Sequence, residues 1–307
     1  MEDNPITIVF AINEKFRAPF SVTLKSLLDS NPTEYFSIYL LYEVLDSDDF
    51  DKIQSILPKE NGVLQFIKIN KELFENLPTP LHLPQAAYYR LLIPNLIPTD
   101  KVLYLDSDML INGEIRPMWE TDLGDNYLAA ILEFSKNWHP KLPFNKEFGY
   151  FNSGVLLINS SLWRKNRYAE RVLEFARSFP ELIFFADQCA LNATINGQFK
   201  ILDAQWNFQA FFYEKGFVKP KQYSSEQFDR AIKNPKIIHY SGSLKPWHWG
   251  CKHPYRFQYW KKLYRTPYRT LIPDNLSLAN IIRFISPKIL LGYGYTLKNK
   301  FKTGLFK

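Results

Sequence analysis

The sequence has few cysteines, few glycines and no long uninterrupted apolar run. Only two cysteines occur among 307 residues, Cys189 and Cys251, which excludes a disulfide-stabilised scaffold and favours a reducing cytosolic compartment. Twelve glycines and 46% hydrophobic residues exclude a disordered chain. The most apolar stretch, residues 281–295, is interrupted by Arg283 and Lys288 and is shorter than the roughly 20 residues that a membrane-spanning helix needs. The first residues are acidic, so we expect no signal peptide.

Acidic residues are scarce at one end of the chain. Residues 252–307 hold twelve Lys or Arg and one acid, Asp274, so their net charge is +11, whereas the whole chain carries +7. The remainder is therefore slightly acidic, and a composition break near residue 250 separates the two parts. Aromatic residues are interspersed with the basic ones in this tail. Such a composition suits a tail that binds an anionic membrane surface, a tail that binds nucleic acid, or a solvated tail with no partner.

Alternating strand and helix patterns predict an α/β fold. Residues 6–11, 36–42 and 63–69 have the pattern of buried strands, and helix-spaced apolar residues separate them over 18–30 and 46–57. This alternation is typical of parallel sheets that bind nucleotides at the carboxyl ends of their strands. Four further strands are predicted at 101–105, 128–132, 154–159 and 200–202, and one further helix at 162–178.

Two carboxylates, those of Asp106 and Asp108, directly follow the predicted strand 101–105. Residues two apart on an extended chain point to the same side, so both carboxylates face the edge where such a sheet binds its ligand. Hard oxygen ligands suit Mn²⁺ or Mg²⁺, which would neutralise a diphosphate. A capped turn and the aspartyl nucleophile of a phosphatase are the alternatives, although the residues that follow are larger than such phosphatases use.

A second polar segment, residues 239–247, follows the apolar pair at 237–238 and is predicted to be a loop. Its first residue, His239, is a candidate third metal ligand, and an imidazole beside two carboxylates favours Mn²⁺ over Mg²⁺. Gly242 would let the backbone approach a phosphate, and Lys245 would supply a cation for it. A buried structural histidine in a glycine-proline loop is the alternative.

Further motifs lie in order between residues 6 and 250: Phe10-Ala11, Tyr89-Arg90-Leu91, Tyr150-Phe151-Asn152-Ser153-Gly154 and Asp187-Gln188. Together with 101–108 and 239–247 they resemble glycosyltransferase family 8, and the similarity is greatest to bacterial lipopolysaccharide α-galactosyl- and α-glucosyltransferases. The resemblance implies a GT-A fold, an α/β fold with a mostly parallel central sheet flanked by helices. It implies a catalytic domain over residues 1–250 and a basic, aromatic extension over 251–307.

The resemblance implies a retaining, metal-dependent transferase. It would move galactose or glucose from a UDP-sugar to an oligosaccharide or lipid-linked glycan acceptor of lipopolysaccharide or a related surface polysaccharide. Asp106, Asp108 and His239 would bind Mn²⁺, with Mg²⁺ as the alternative. Gln188 would lie beside the anomeric carbon, and since an amide is a poor nucleophile we expect front-face attack through an oxocarbenium-like transition state. Asp187 is the alternative nucleophile.

The resemblance also implies the residues that bind donor and acceptor. These are Ala11, Asn13, Lys15, His82, Arg90, Asp106, Ser107, Glu133, Asn152, Ser153, Asp187, Gln188, Gly242 and Lys245. Asn13 departs from the family pattern, since an acid often accepts a bond from uracil there, and an amide oxygen also accepts. Glu133 replaces a shorter acid, and this difference bears on the choice of hexose.

A lipid-linked acceptor would give the basic extension a purpose at the membrane. We therefore predict a peripheral protein on the cytoplasmic face of the inner membrane, bound to anionic lipid and without a nucleic-acid partner. Pro267, Pro273 and Pro287 predict short amphipathic helices in the tail rather than one long helix. Two alternatives stay open: a protein that binds nucleotide sugars without turnover, and a nucleic-acid-binding protein that acts through the tail.

Overall fold

The computed structural model describes residues 5–80, 83–135, 138–209, 219–242, 245–274 and 277–279. The strands within these residues are β1 (Ile6–Ile12), β2 (Phe36–Tyr42), β3 (Gly62–Lys68), β4 (Lys101–Leu105), β5 (Met109–Ile111), β6 (Leu128–Leu132), β7 (Phe151–Asn159), β8 (Phe199–Ile201), β9 (Phe208–Gln209) and β10 (Ile237–His239). The helices are α1 (Arg17–Ser30), α2 (Ser47–Gln54), α3 (Ile93–Leu96), α4 (Arg116–Trp119), α5 (Ser160–Lys165), α6 (Tyr168–Ser178), α7 (Ala186–Ile195), α8 (Ser225–Lys233) and α9 (Arg256–Leu263).

A seven-stranded sheet in the order β3-β2-β1-β4-β7-β6-β8 forms the centre of the molecule. β1 pairs in parallel with β2 and β4, whereas β7 is antiparallel to both of its neighbours. β1, β2 and β4 are apolar along nearly their whole length because they are covered on both faces. The predicted α/β fold with a mostly parallel sheet is confirmed. The carboxyl ends of β1 and β4 lie side by side, and the predicted acidic motif follows β4.

Most predicted elements have bounds close to those observed, and one helix does not. The strands predicted at 36–42, 101–105 and 128–132 have those bounds in the structure. The single helix predicted over 162–178 is wrong, because α5 and α6 are separate helices. Arg167 between them has a φ of +47°, a left-handed conformation that an α-helix cannot continue through.

A second sheet, which the sequence pattern does not indicate, has the order β5-β10-β9. β5 begins directly after Asp108 and pairs antiparallel with β10, so His239 lies opposite Met109. The pairing continues past the strand end, where the Tyr240 N–H donates to the Asp108 carbonyl oxygen over 3.0 Å. His239 is therefore the last residue of a strand rather than part of a loop, and its backbone is fixed beside the acidic motif.

The first part of the predicted extension packs against the α/β body. Tyr259 and Leu263 of α9 are fully buried, and the Ser21 hydroxyl of α1 donates to Thr266 Oγ1 over 3.2 Å. Lys262 forms an ion pair with Asp29 of α1. The boundary near residue 250 stays a prediction, but α9 shares its apolar contacts with the body. Residues 280–307 lie outside the described part of the chain.

No helix among the described residues has the length and apolar character needed to cross a bilayer.

Candidate active site

Three side chains predicted as metal ligands converge at the edge where β4 ends. Ligand atoms of Asp106, Asp108 and His239 all lie within 4.8 Å of one another. His239 Nε2 is 3.3 Å from Asp108 Oδ1 and 3.6 Å from Asp106 Oδ2. Two hard carboxylate oxygens and one imidazole nitrogen fit a divalent transition-metal ion such as Mn²⁺.

Asn207 orients the imidazole of His239. Its amide oxygen lies 3.0 Å from Nδ1, and since a carbonyl oxygen only accepts, Nδ1 carries a proton and Nε2 is the ring nitrogen that faces the two carboxylates. The Asn207 amide nitrogen donates to Asn152 Oδ1 over 2.8 Å, which fixes the orientation of both amides. The sequence analysis missed Asn207. The available signal was a polar side chain immediately before the two-residue strand β9.

Lys245 places a positive charge beside the candidate metal-binding group formed by Asp106, Asp108 and His239. Its Nζ contacts Asp108 Oδ2 and donates to the Tyr240 carbonyl oxygen over 2.8 Å. Burial by itself would raise the pKa of the Asp108 carboxyl, but the nearby Lys245 and His239 outweigh it and hold that pKa well below its usual range. Asp108 is thus an anion at neutral pH, as a metal ligand must be.

Arg90 joins the acidic motif to α7. It is buried, and its Nη2 lies 3.1 Å from Asp106 Oδ1 while its Nε lies 3.2 Å from Asp187 Oδ2. The guanidinium also stacks over the Tyr104 ring, 4.4 Å from its centroid, and the Tyr104 hydroxyl donates to Asp106 Oδ1 over 2.8 Å. Tyr104 is a second residue that sequence analysis missed, although it lies two residues before Asp106 on β4.

Asp187 is a buried carboxyl at the start of α7. Burial raises its pKa to about 7, although the Arg90 charge acts in the opposite direction. The residue before it, Ala186, has a φ of +41°, a conformation that costs free energy in a residue with a side chain. A carboxyl that titrates near neutral pH beside a metal-binding group is a candidate for a functional role.

A hydrogen-bond network joins Gln188 to the metal-binding group. Gln188 Oε1 accepts from the Ser153 N–H over 3.0 Å, and its Nε2 lies 3.5 Å from Glu133 Oε2. The same Glu133 oxygen accepts from Asn152 Nδ2 over 2.8 Å, and Asn152 continues to Asn207. Gln188, Glu133, Asn152 and Ser153, which were predicted together, therefore lie side by side.

Gly154 leaves room for the side chains of His239 and Asp106. A Cβ on this residue would lie 2.5 Å from His239 Cε1 and 2.7 Å from Asp106 Oδ2. A Cβ atom essentially never lies that close to a non-bonded atom, so any side chain here would displace the His239 and Asp106 side chains. This explains why the strand β7 has a glycine where it passes the site.

Most of the remaining predicted residues lie at or just after the ends of strands. Ser107 Oγ donates to the Ala11 carbonyl oxygen over 2.9 Å, which ties the end of β1 to the acidic motif. Asn13 Oδ1 accepts from the Lys15 N–H over 3.0 Å and so caps a short 3₁₀ turn. Gly242 has a φ of +96°, which only glycine adopts without strain. His82 lies outside the described residues.

Comparisons with known proteins agree on one family. The model of glycosyl transferase family 8 matches residues 7–251. General stress protein A of Bacillus subtilis is 27% identical over 88% of this chain and 97% of its own length. The lipopolysaccharide 1,2-glucosyltransferase of Escherichia coli is 26% identical over 80% of this chain and 74% of its own length. A crystal structure of the galactosyltransferase LgtC with donor and acceptor sugar analogues superposes with a TM-score of 0.78, at 27% identity over 88% of this chain and 98% of that one.

Proposed function

The chain belongs to glycosyl transferase family 8, and we propose that it transfers galactose or glucose from a UDP-sugar, with retention, to a glycan of lipopolysaccharide or a related surface polysaccharide. The observation that carries the proposal is the convergence of Asp106, Asp108 and His239 next to two cations. Two comparisons support the substrate class. One relative is named as a lipopolysaccharide glucosyltransferase, and the LgtC structure contains donor and acceptor sugar analogues.

The metal-binding group and the cations suit a diphosphate leaving group. Asp106, Asp108 and His239 would hold Mn²⁺, and the imidazole makes Mg²⁺ the less suitable ion. When bound, the ion supplies positive charge that stabilises UDP as it departs. Lys245 adds a second positive charge beside it, and Gly242 lets the backbone approach a phosphate oxygen.

The surroundings of Gln188 and Asp187 favour front-face attack. The amide oxygen of Gln188 already accepts a hydrogen bond from Ser153, so it is held in place but is a poor nucleophile. The carboxyl of Asp187 is buried against Arg90 with a pKa raised to about 7, so near neutral pH it is only partly ionised. In the proposed step the sugar–phosphate bond breaks with its electron pair going to UDP. The acceptor oxygen bonds to the same face of the anomeric carbon, and a UDP oxygen takes its proton.

The other assignments divide between the two substrates. Asn13 and Lys15 would contact the nucleoside, and Arg90, Glu133 and Asn152 would hold the sugar and its diphosphate. Ala11, Ser107, Ser153 and His82 complete the proposed set, with His82 on the acceptor side.

The proposed location is the cytoplasmic face of the membrane. Around α9, exposed apolar side chains of Phe257, Tyr264 and Ile272 alternate with basic residues that include Lys261 and Arg265. An anionic lipid surface attracts such basic residues and accepts the apolar ones at the acyl boundary.

UDP release from a panel of UDP-sugars, with Mn²⁺ and with EDTA, tests the proposal. We expect release from UDP-galactose or UDP-glucose that EDTA abolishes and that Asp106→Asn with Asp108→Asn lowers at least 100-fold. The chain offers a matched control, because Asp46-Ser47-Asp48 repeats the same tripeptide at the start of α2. Asp46→Asn with Asp48→Asn should keep full activity, since asparagine also caps helices. Binding of UDP-sugar without release would instead identify a binding protein.

A further inference from the structure

The side chain of Gln209 is buried without hydrogen bonds. It lies in β9 with no exposed surface, and within the described part of the chain neither Oε1 nor Nε2 has a hydrogen-bond partner. Leaving a buried amide unpaired costs folding free energy, and most buried polar atoms in proteins are paired. An unpaired buried amide therefore needs an explanation, and a ligand that pairs with it is one.

The strand register places Gln209 on the same face as the metal-binding group. β9 runs parallel to β10, and Gln209 is paired with His239. Paired residues of neighbouring strands project from the same face of a sheet. Asn207, two residues earlier, projects from that face as well, and it contacts both His239 and Asn152. Gln209 thus lies one step farther along the same row of polar side chains.

The chemistry of an amide selects the kind of ligand. A glutamine offers one acceptor oxygen and two donor hydrogens in one plane, so a phosphate would satisfy only its nitrogen and a cation only its oxygen. Adjacent hydroxyl groups of a pyranose each donate and accept, so they satisfy both ends together. Lys245 and Arg90 already supply the cations that a diphosphate requires. We infer that Gln209 binds two neighbouring hydroxyl groups of a hexose beside the metal site, an inference that rests on the proposed function.

The variant Gln209→Met tests the inference, because methionine has nearly the same shape and makes no comparable hydrogen bonds. The ligand-free variant should be at least as stable to urea as the native protein, since it removes two unpaired buried polar atoms. Its Kd for UDP with Mn²⁺ should stay within twofold. If the hexose is the donor sugar, the Kd for UDP-glucose or UDP-galactose should rise at least tenfold.

A second arm distinguishes an acceptor sugar. In that case the affinity for UDP-hexose is unchanged, and the concentration of methyl β-galactoside or methyl β-glucoside that accelerates UDP release should rise at least tenfold. If the variant behaves like the native protein in both arms, the inference is wrong. Lower stability of the ligand-free variant also overturns it, because it would show that the amide has a partner within the protein.

Gln54→Met is the matched control, since Gln54 is exposed on α2 and should change neither measurement. The failure of the two proposals is distinguishable. A native protein that binds no UDP with Mn²⁺ contradicts the proposed function, whereas a native protein that binds UDP with Mn²⁺ but does not differ from Gln209→Met in either arm contradicts only this inference.

Discussion

At the scale of single residues, Asp187 is a carboxyl whose surroundings oppose its charge. In the unfolded chain it ionises near pH 3.8, whereas in the folded protein burial raises its pKa to about 7. The folded state therefore binds the proton more tightly, and the stability that this group contributes is lost as the pH rises from about 4 to 7. The loss is about 1.4 kcal/mol per pH unit in that window.

Asp187→Asn should remove this pH dependence. Relative to the native protein, the variant should gain about 3 kcal/mol of stability between pH 5 and pH 8, so that its free energy of unfolding compares better with the native value at pH 8, as measured by urea denaturation. UDP release should fall at least tenfold, since Arg90 loses one carboxylate partner. Asp100→Asn, at an exposed position, serves as the control. Equal pH dependence in the native protein and Asp187→Asn would contradict the expected cost of burying this charge.

Gly154→Ala should weaken metal binding with little effect on the fold. The added methyl group would overlap His239 Cε1 and Asp106 Oδ2, and the atoms nearest to it all belong to side chains rather than to the backbone. We expect the Kd for Mn²⁺, measured by electron paramagnetic resonance, to rise at least tenfold. Gly250→Ala is the control, because a Cβ there meets no atom within 4 Å. Unchanged Mn²⁺ affinity in Gly154→Ala would exclude the assigned ligand geometry.

At the scale of elements, the break between α5 and α6 shows how one backbone conformation divides a helical pattern. The apolar spacing continues across the break, which explains the prediction of one helix over 162–178. Arg167 has a left-handed conformation and an exposed side chain, whose ion pair with Glu170 adds little stability. The change of direction lets α6 pack against α7, which carries Asp187 and Gln188.

Arg167→Gly should stabilise the protein by about 1 kcal/mol, because glycine adopts the left-handed conformation without the steric cost that other residues have. Arg171→Gly, inside α6, should destabilise it by about 1 kcal/mol for the opposite reason. Urea denaturation of both variants measures the two effects. The same sign of change in both would show that the conformation at Arg167 carries no strain.

At the scale of the whole molecule, the C-terminal region has two different parts. α9 and the residues up to Tyr268 share buried contacts with the α/β body, including a hydrogen bond from the Tyr268 hydroxyl to Asp49 over 2.9 Å. Residues 280–307 contain six Lys or Arg and no acid. A test of membrane binding must therefore separate the part that the fold needs from the part that carries this charge.

A chain ending at residue 279 should fold and release UDP at the native rate, but it should sediment less with vesicles of phosphatidylcholine and phosphatidylserine. A chain ending at residue 251 should not fold, because it lacks Tyr259 and Leu263. Circular dichroism and vesicle sedimentation distinguish these outcomes. Equal sedimentation of the 279-residue and full-length chains would contradict a lipid role for the last 28 residues.

The sequence by itself determined the features that depend on neighbouring residues. The apolar strands β2, β4 and β6 follow from local patterns, and so does the common direction of Asp106 and Asp108, because both depend on the two-residue period of an extended chain. The family resemblance added the site residues whose partners lie far away along the chain.

Only the tertiary structure decided which distant residues meet. His239 reaches Asp108 through the pairing of β10 with β5, and Asn207 reaches His239 through the pairing of β9 with β10. The buried contacts of α9 and the unpaired amide of Gln209 were likewise absent from any local pattern. Strand register and burial are properties of the whole packed chain, because each depends on segments far apart in sequence, and a periodic pattern within one segment carries no record of its partner.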